Sequence, residues 1–272
     1  MTDYLGEKTD CLKEKKLFLF DMDGTIYLGE NLFDGVKELL STIKKRGGRY
    51  VFITNNSSKS VSAYIKKLAG LGIDSDSDDF FTSSEAAVSL LNKKHRNALV
   101  YAQGTRSFID YLKNCGINVT EEYDEKAGVI LVGFDTELNF DKELKTCKML
   151  TALSVPYYAT NPDWVCPTEF GYVPDCGSMC FGYEKATGKS PVFIGKPDPA
   201  MINAAIEKFG FNKEEVLVIG DRLYTDIASG VNADVDTLFV LSGEGTIEDY
   251  KKSDVKPAFV LNNVKELLEI IK

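Results

Sequence analysis

The chain has 272 residues, 44% hydrophobic and 27% charged, enough for a substantial core without disulfides, and no run nears the roughly eighteen apolar residues of a membrane span. Asp and Glu total 41 against 32 Lys and Arg, a formal charge of −9 that repels phosphate backbones and excludes nucleic acid as a general partner. Six cysteines are too sparse for a disulfide scaffold, and the polar Met1–Lys16 stretch lacks the apolar run of a signal peptide, so a cytoplasmic protein with reduced thiols and no membrane partner is expected.

Leu17-Phe-Leu-Phe20 is a short apolar run ending in Asp and Gly, the pattern of a strand buried in a parallel sheet. Asp34 opens a helix-period stretch to about Lys45, with Val36, Leu39, Leu40 and Ile43 on one face, and Gly47-Gly48 stops it. Tyr50–Ile53 predicts a second buried strand and Ser58–Leu68 a second helix. A further α/β stretch follows, with strands at Ala98–Tyr101 and Val129–Val132 and helices at about Arg106–Asn114 and Asp141–Leu153. The first rhythm then returns. Val192–Ile194, Val216–Ile219, Thr237–Val240 and Ala258–Leu261 read as strands, and about Pro199–Phe209, Leu223–Val231 and Asn263–Ile271 as helices. Such alternation implies βαβ units with right-handed crossovers, hence an α/β fold with a doubly wound, Rossmann-like parallel sheet.

Carboxylates cluster where these strands end. The first runs into Asp21-Met-Asp23-Gly-Thr25, and two acids beside a buried strand are costly unless a metal or a proton occupies them. A turn or helix cap explains one Asp but not both. The second strand ends in Thr54-Asn55-Asn56-Ser-Ser58, whose hydroxyl and N–H groups before a helix can cradle phosphate, although Ser and Asn are also ordinary N-caps. Gly195-Lys196-Pro197 places a cation at the next strand end, and Gly220-Asp221 through Asp226 adds two more acids. Oxygen ligands without His or Cys favour Mg²⁺ over zinc.

This ordered set resembles the haloacid dehalogenase-like (HAD) phosphohydrolases along the whole chain. Asp21-Met-Asp-Gly-Thr25, Thr54, Lys196 and Gly220-Asp221 with Asp226 match their four motifs. The long interval from Thr54 to Lys196 resembles members with a type-two cap. Tyr27-Leu28-Gly29, Thr160-Asn161-Pro162-Asp163 and Cys176-Gly177-Ser178 resemble the NagD-like, p-nitrophenyl phosphatase-like branch. The resemblance implies a catalytic core of residues 1–82 and 189–272, with an inserted α/β cap at 83–188 that closes over the crevice. It implies Asp21 as the nucleophile that forms an aspartyl-phosphate, and Asp23 as general acid and then base. Thr54 and the Asn55 N–H, with Asn56 beside them, would hold the phosphoryl oxygens, and Lys196 would balance charge. Mg²⁺ would be bound by Asp21, the Asp23 carbonyl and Asp221, with Asp226 as ligand or just behind. Asn161, Asp163 and Cys166 of the cap fall on the substrate side. Cys166 stands where pyridoxal phosphate phosphatases of this branch carry His, which argues against that substrate. Caps of this group can mediate dimers, which allows a homodimer.

Other signals carry less. Gly182 and Gly188 enclose one residue too many for a P-loop, and Pro191 follows at once. Gly243-Glu-Gly245 lacks the third glycine of a dinucleotide fingerprint. His95, the single His, sits among Lys and Arg and reads as a solvated surface residue, so a His-based triad is excluded. Cys11, Cys115 and Cys147 read as small buried or neutral positions. The expected activity is Mg²⁺-dependent hydrolysis of small phosphate monoesters, such as a nucleotide monophosphate, phosphoglycolate, a sugar phosphate or p-nitrophenyl phosphate. The alternatives are a receiver-like phospho-acceptor, which needs neither the insertion nor Asp23, and a HAD-fold binding protein without catalysis, which needs none of the intact acids.

Overall fold

A computed structural model describes residues 2–168 and 170–272. It divides the chain into two compact units, one formed by the residues up to Thr54 with 65–81 and 196–272, the other by 55–64 and 82–195.

The first unit is built on a six-stranded sheet in the order Phe259–Leu261, Asp236–Val240, Val216–Gly220, Leu17–Phe20, Arg49–Thr54, Phe80–Thr82. The first five of these are parallel. Leu17–Phe20 is inner and fully buried, which is why it carries no polar alternation. Phe20 lies opposite both Ile219 and Phe52, so the three strands end within two residues of one another. Helix Val36–Lys45 buries the expected stripe of Val36, Leu39, Leu40 and Ile43 and packs beside helix Val264–Ile271.

The second unit has its own five-stranded parallel sheet, ordered Val192–Phe193, Tyr157–Ala159, Val129–Val132, Val100–Gln103, Val119–Thr120. Alternating residues feed its two faces. Ile130 and Val132 pack with Met149, Leu150, Cys180 and Tyr183, from helices Phe140–Ala152 and Cys176–Thr187. Val129 and Leu131 pack with Ala87, Leu91, Phe108 and Leu112, from helices Ser83–Lys94 and Arg106–Asn114. Helices on both faces make this sheet doubly wound as well. An antiparallel hairpin, Val165–Thr168 with Gly171–Pro174, completes the unit.

Several expectations need correction. Val192-Phe193 is not a strand of the first sheet; it pairs with Tyr158 and Ala159, so 189–195 goes with the second unit. Two residues of local apolarity do not specify which sheet they join; Phe193 packing against the Met149–Tyr183 core does. The second helix begins at Val61, because Asn56 Oδ1 accepts from the Ser58 N–H (2.9 Å) and the Ser58 hydroxyl (2.7 Å), a local turn that competes with helix. Leu223–Ile227 is a π-type turn, with regular helix only over Ala228–Asn232. His95 is half-buried, its Nε2 lying 2.9 Å from the Tyr158 hydroxyl. Of the cysteines read as small buried or neutral positions, Cys11 and Cys115 are exposed and Cys147 is half-buried. Among the described residues no helix is long and apolar enough to cross a membrane.

Leu131 is fully buried in the middle of the second sheet. Leu131→Ala should cost about 2–5 kcal/mol of stability, since the cavity adds to the lost transfer energy. An unchanged urea midpoint would show that this face is not tightly packed.

Candidate active site

The residues singled out from sequence gather into two groups, one in each unit. In the first unit, Asp21 leaves strand Leu17–Phe20 with its N–H bonded to the Ile219 carbonyl (2.8 Å), and Asp221 leaves the adjacent Val216–Gly220 strand. Asp226 comes from the π-type turn that follows. Carboxylate oxygens of Asp21, Asp221 and Asp226 all lie within 4.8 Å of one another.

Lys196 is the cation set among them. Its buried ammonium donates to Asp21 Oδ1 (2.5 Å), Asp226 Oδ1 (2.6 Å) and the Ile53 carbonyl (3.0 Å). The second Asp226 oxygen accepts from the Arg222 N–H at 3.0 Å. Asp221 Oδ2 accepts from the Glu244 N–H at 2.7 Å, and Glu244 is tied to Arg222 by an ion pair of 2.8 Å. Gly24 shapes the other side: its φ of 89° is open to glycine, and a Cβ there would come within 2.7 Å of the Asp221 carboxyl carbon.

Three carboxylates around one ammonium leave an excess of negative charge in a buried place. Burial, and then the neighbouring Asp226, hold the Asp21 carboxyl well above the usual carboxylate range, with Lys196 opposing. Burial and Asp226 likewise push Asp221 up to about 7, against the Glu244 N–H and Arg222. Burial alone would lower Lys196, but Asp21 and Asp226 outweigh it and hold the ammonium above its ordinary value. Oxygen-only ligands, close spacing and uncompensated charge fit a hard divalent cation.

The other candidates stand differently. Asp23 is half-buried and bridges backbone to backbone with Tyr27, and its carboxylate is not one of the three clustered groups. Thr54 ends strand Arg49–Thr54 and is buried. Because the helix starts at Val61, Thr54 does not sit at a helix N-terminus, contrary to expectation. In the second unit Asn55, Asn161 and Asp163 are buried together. Asn55 and Asn161 side-chain N–H groups both donate to Asp163 Oδ2, at 2.7 and 2.8 Å. Asn56 is turned onto Ser58, and Cys166 is half-buried in the hairpin, its Sγ 3.8 Å from the Pro167 carbonyl. Asp175 and the Glu244 N–H belong to these groups but carried no signal of their own. Glu244 lies in the Gly243-Glu-Gly245 stretch that failed as a dinucleotide motif.

The family models for haloacid dehalogenase-like hydrolase and HAD-hydrolase-like match residues 18–118 and 193–267. Among curated proteins, an acid sugar phosphatase of Staphylococcus aureus is 31% identical over 257 residues, 94% of this chain and 98% of that protein. The chain belongs to the haloacid dehalogenase-like hydrolases. Among solved structures of this family, a 4-nitrophenylphosphatase from Thermotoga maritima is 37% identical with a TM-score of 0.90, covering 96% of this chain and 99% of that one. A glycerol phosphate phosphatase from Mycobacterium tuberculosis, solved in complex with magnesium, is 27% identical with a TM-score of 0.88, covering 96% of this chain and 78% of that one. These relatives put the chain in the NagD and p-nitrophenylphosphatase branch and make it a phosphohydrolase.

In the metal-free HAD protein, Asp21 and Asp221 hold protons more tightly when folded than when unfolded. Ionisation of Asp221 therefore withdraws stability as pH rises from the ordinary 3.8 through about 7, and ionisation of Asp21 acts in the same direction. With chelator present, Asp221→Asn should gain melting temperature relative to wild type between about pH 5 and about pH 8. A difference that does not grow with pH would remove the electrostatic account of the cluster.

Proposed function

We propose that this protein is a Mg²⁺-dependent phosphomonoesterase acting on small sugar- or polyol-type phosphate esters through an aspartyl-phosphate on Asp21. The observation that carries this reading is the Asp21–Asp221–Asp226 cluster with Lys196 locked between two of its members. The alcohol class is the one shared by the acid sugar phosphatase and glycerol phosphate phosphatase relatives.

Asp21 attacks phosphorus, and the Lys196 ammonium on Oδ1 fixes the rotation of its carboxylate. Asp23, two residues on and held by the Tyr27 bridge, protonates the leaving oxygen and later takes a proton from water. The Thr54 hydroxyl and the N–H of the Thr54–Asn55 peptide hold phosphoryl oxygens. Asp21, Asp221 and the Asp23 carbonyl are the groups that would hold Mg²⁺. Both Asp226 oxygens are already engaged, by Lys196 and by the Arg222 N–H, which suits it to orienting Lys196. The bound cation would supply the positive charge that lets a phosphate dianion approach this acidic cluster.

Asp21→Asn keeps the shape of the side chain and removes its nucleophilicity. It should abolish nearly all turnover of p-nitrophenyl phosphate while circular dichroism stays that of wild type, and near-normal turnover would overturn the assignment. Asp23→Asn should slow phosphorylation by alkyl phosphates by about 10²–10⁴-fold and affect p-nitrophenyl phosphate less in that step, because p-nitrophenolate leaves without help. Rapid mixing should then show a burst of p-nitrophenol before a slow phase. Equal slowing of both ester types without a burst would count against Asp23 as the proton donor.

A further inference from the structure

The buried network around Asp163 reaches further than a substrate contact would. Asp163 Oδ2 takes the Asn55 side-chain N–H at 2.7 Å and that of Asn161 at 2.8 Å. Asn161 also donates to Asp175 Oδ1 (2.9 Å), which accepts the Cys176 N–H (2.5 Å) at the start of helix Cys176–Thr187. Asn161 Oδ1 accepts the Thr160 hydroxyl (2.8 Å), and Thr160 Oγ1 lies 3.0 Å from Ser57 Oγ, which takes the Phe134 N–H (2.9 Å). The Ser83 hydroxyl donates to the Asn55 carbonyl at 2.6 Å. Asn161 and Asp163 are 0% and 2% exposed, with their amide and carboxylate spent inside the unit, so they are poorly placed to meet a ligand arriving from solvent. Gly195 closes the network. A Cβ there would lie 2.6 Å from the Thr160 carbonyl and 3.1 Å from Asn55 Cγ, so only a residue without a side chain lets the Asn55 amide occupy its place.

What these bonds determine is the setting of Asn55. Its side chain is anchored through Asp163, its carbonyl through Ser83, and its own N–H belongs to the peptide that follows Thr54. We propose that Asp163 is a positioning residue: its carboxylate, held by Asn161, clamps the Asn55 side chain and thereby aims the Thr54–Asn55 peptide N–H at a phosphoryl oxygen. This inference rests on the phosphatase reading above, and it moves Asn161 and Asp163 from substrate contact to support of the phosphate-holding turn. The phosphoryl group is common to every ester, so the effect of Asp163 is independent of the alcohol.

The test is a double-mutant cycle with Asn55→Ala and Asp163→Ala, read by kcat/KM on p-nitrophenyl phosphate, glycerol phosphate and a sugar phosphate, and by inhibition with inorganic phosphate. Asp163→Ala should lower kcat/KM on all three esters by the same factor, up to about 10²-fold, and weaken phosphate inhibition in parallel. In the Asn55→Ala background the same change should add little. Asp163→Asn retains an acceptor oxygen for both amides and should recover most of the loss; should Asp163→Ala fail to fold, Asp163→Asn and Asp163→Leu enter the cycle in its place. Loss confined to one ester would restore Asp163 as a substrate contact. Additive losses, or phosphate inhibition left unchanged, would reduce it to a structural role. A wild-type protein that hydrolyses no ester would instead sink the phosphatase reading itself.

Discussion

The buried ammonium of Lys196 ties together the strand ends of the first unit. Lys196 reaches a carboxylate after the first strand, a carboxylate after the Val216–Gly220 strand and the carbonyl of Ile53 in the Arg49–Thr54 strand. Taking such a group out of water is expensive, and the attraction of its partners compensates only while the geometry holds. The strands must therefore end close together, as the Phe20–Ile219 and Phe20–Phe52 register ensures. The turn after Gly220 must also bring Asp226 back towards the sheet, and the π-type conformation of Leu223–Ile227 accompanies that return.

The same cluster is unbalanced by design. Lys196 engages Asp21 and Asp226, whereas Asp221 is stabilised by the Glu244 N–H and by Arg222 at a distance. Charge left over in a buried site is a liability for stability, and it creates demand for a cation beside these carboxylates. The polar network of the second unit is the opposite case. There, buried carboxylates and amides satisfy one another through Asn55, Asn161, Asp163 and Asp175, which gives rigidity rather than reactivity.

Much of this was legible in the sequence because its signals are local. Leu17–Phe20 followed by two Asp announces a buried strand end carrying acids, and the 3.6-residue period of Val36, Leu39, Leu40 and Ile43 announces a helix face. What escaped was nonlocal. Val192-Phe193 has the same composition whichever sheet it joins, and only its pairing with Tyr158 and Ala159 decides. Asn161 and Asp163 have the polarity of ligand-binding residues, and only burial shows that their groups face each other. Glu244 acts through its backbone N–H, which no side-chain pattern reports. His95 illustrates the converse, a polar residue in a basic stretch that nonetheless packs its ring on Tyr158, with centroids 5.5 Å apart.

The order of strands in the first sheet also has a meaning in time. Leu17–Phe20 lies between Arg49–Thr54 and Val216–Gly220, so during synthesis it is an uncovered apolar edge until the far end of the chain exists. The second unit's sheet, by contrast, is drawn wholly from one continuous stretch between Val100 and Phe193. All of its strands precede Val216 in the chain, so its pairings can form first, and the loop that the first sheet must close can then be a folded body instead of a floppy coil. All strands of the second unit's sheet are thus made before the first sheet can be completed, and Leu17–Phe20 is separated from its partner Val216–Gly220 by that whole interval. Chaperone demand should accordingly concentrate on residues near the N-terminus, in the interval before the strand that carries Asp221 emerges.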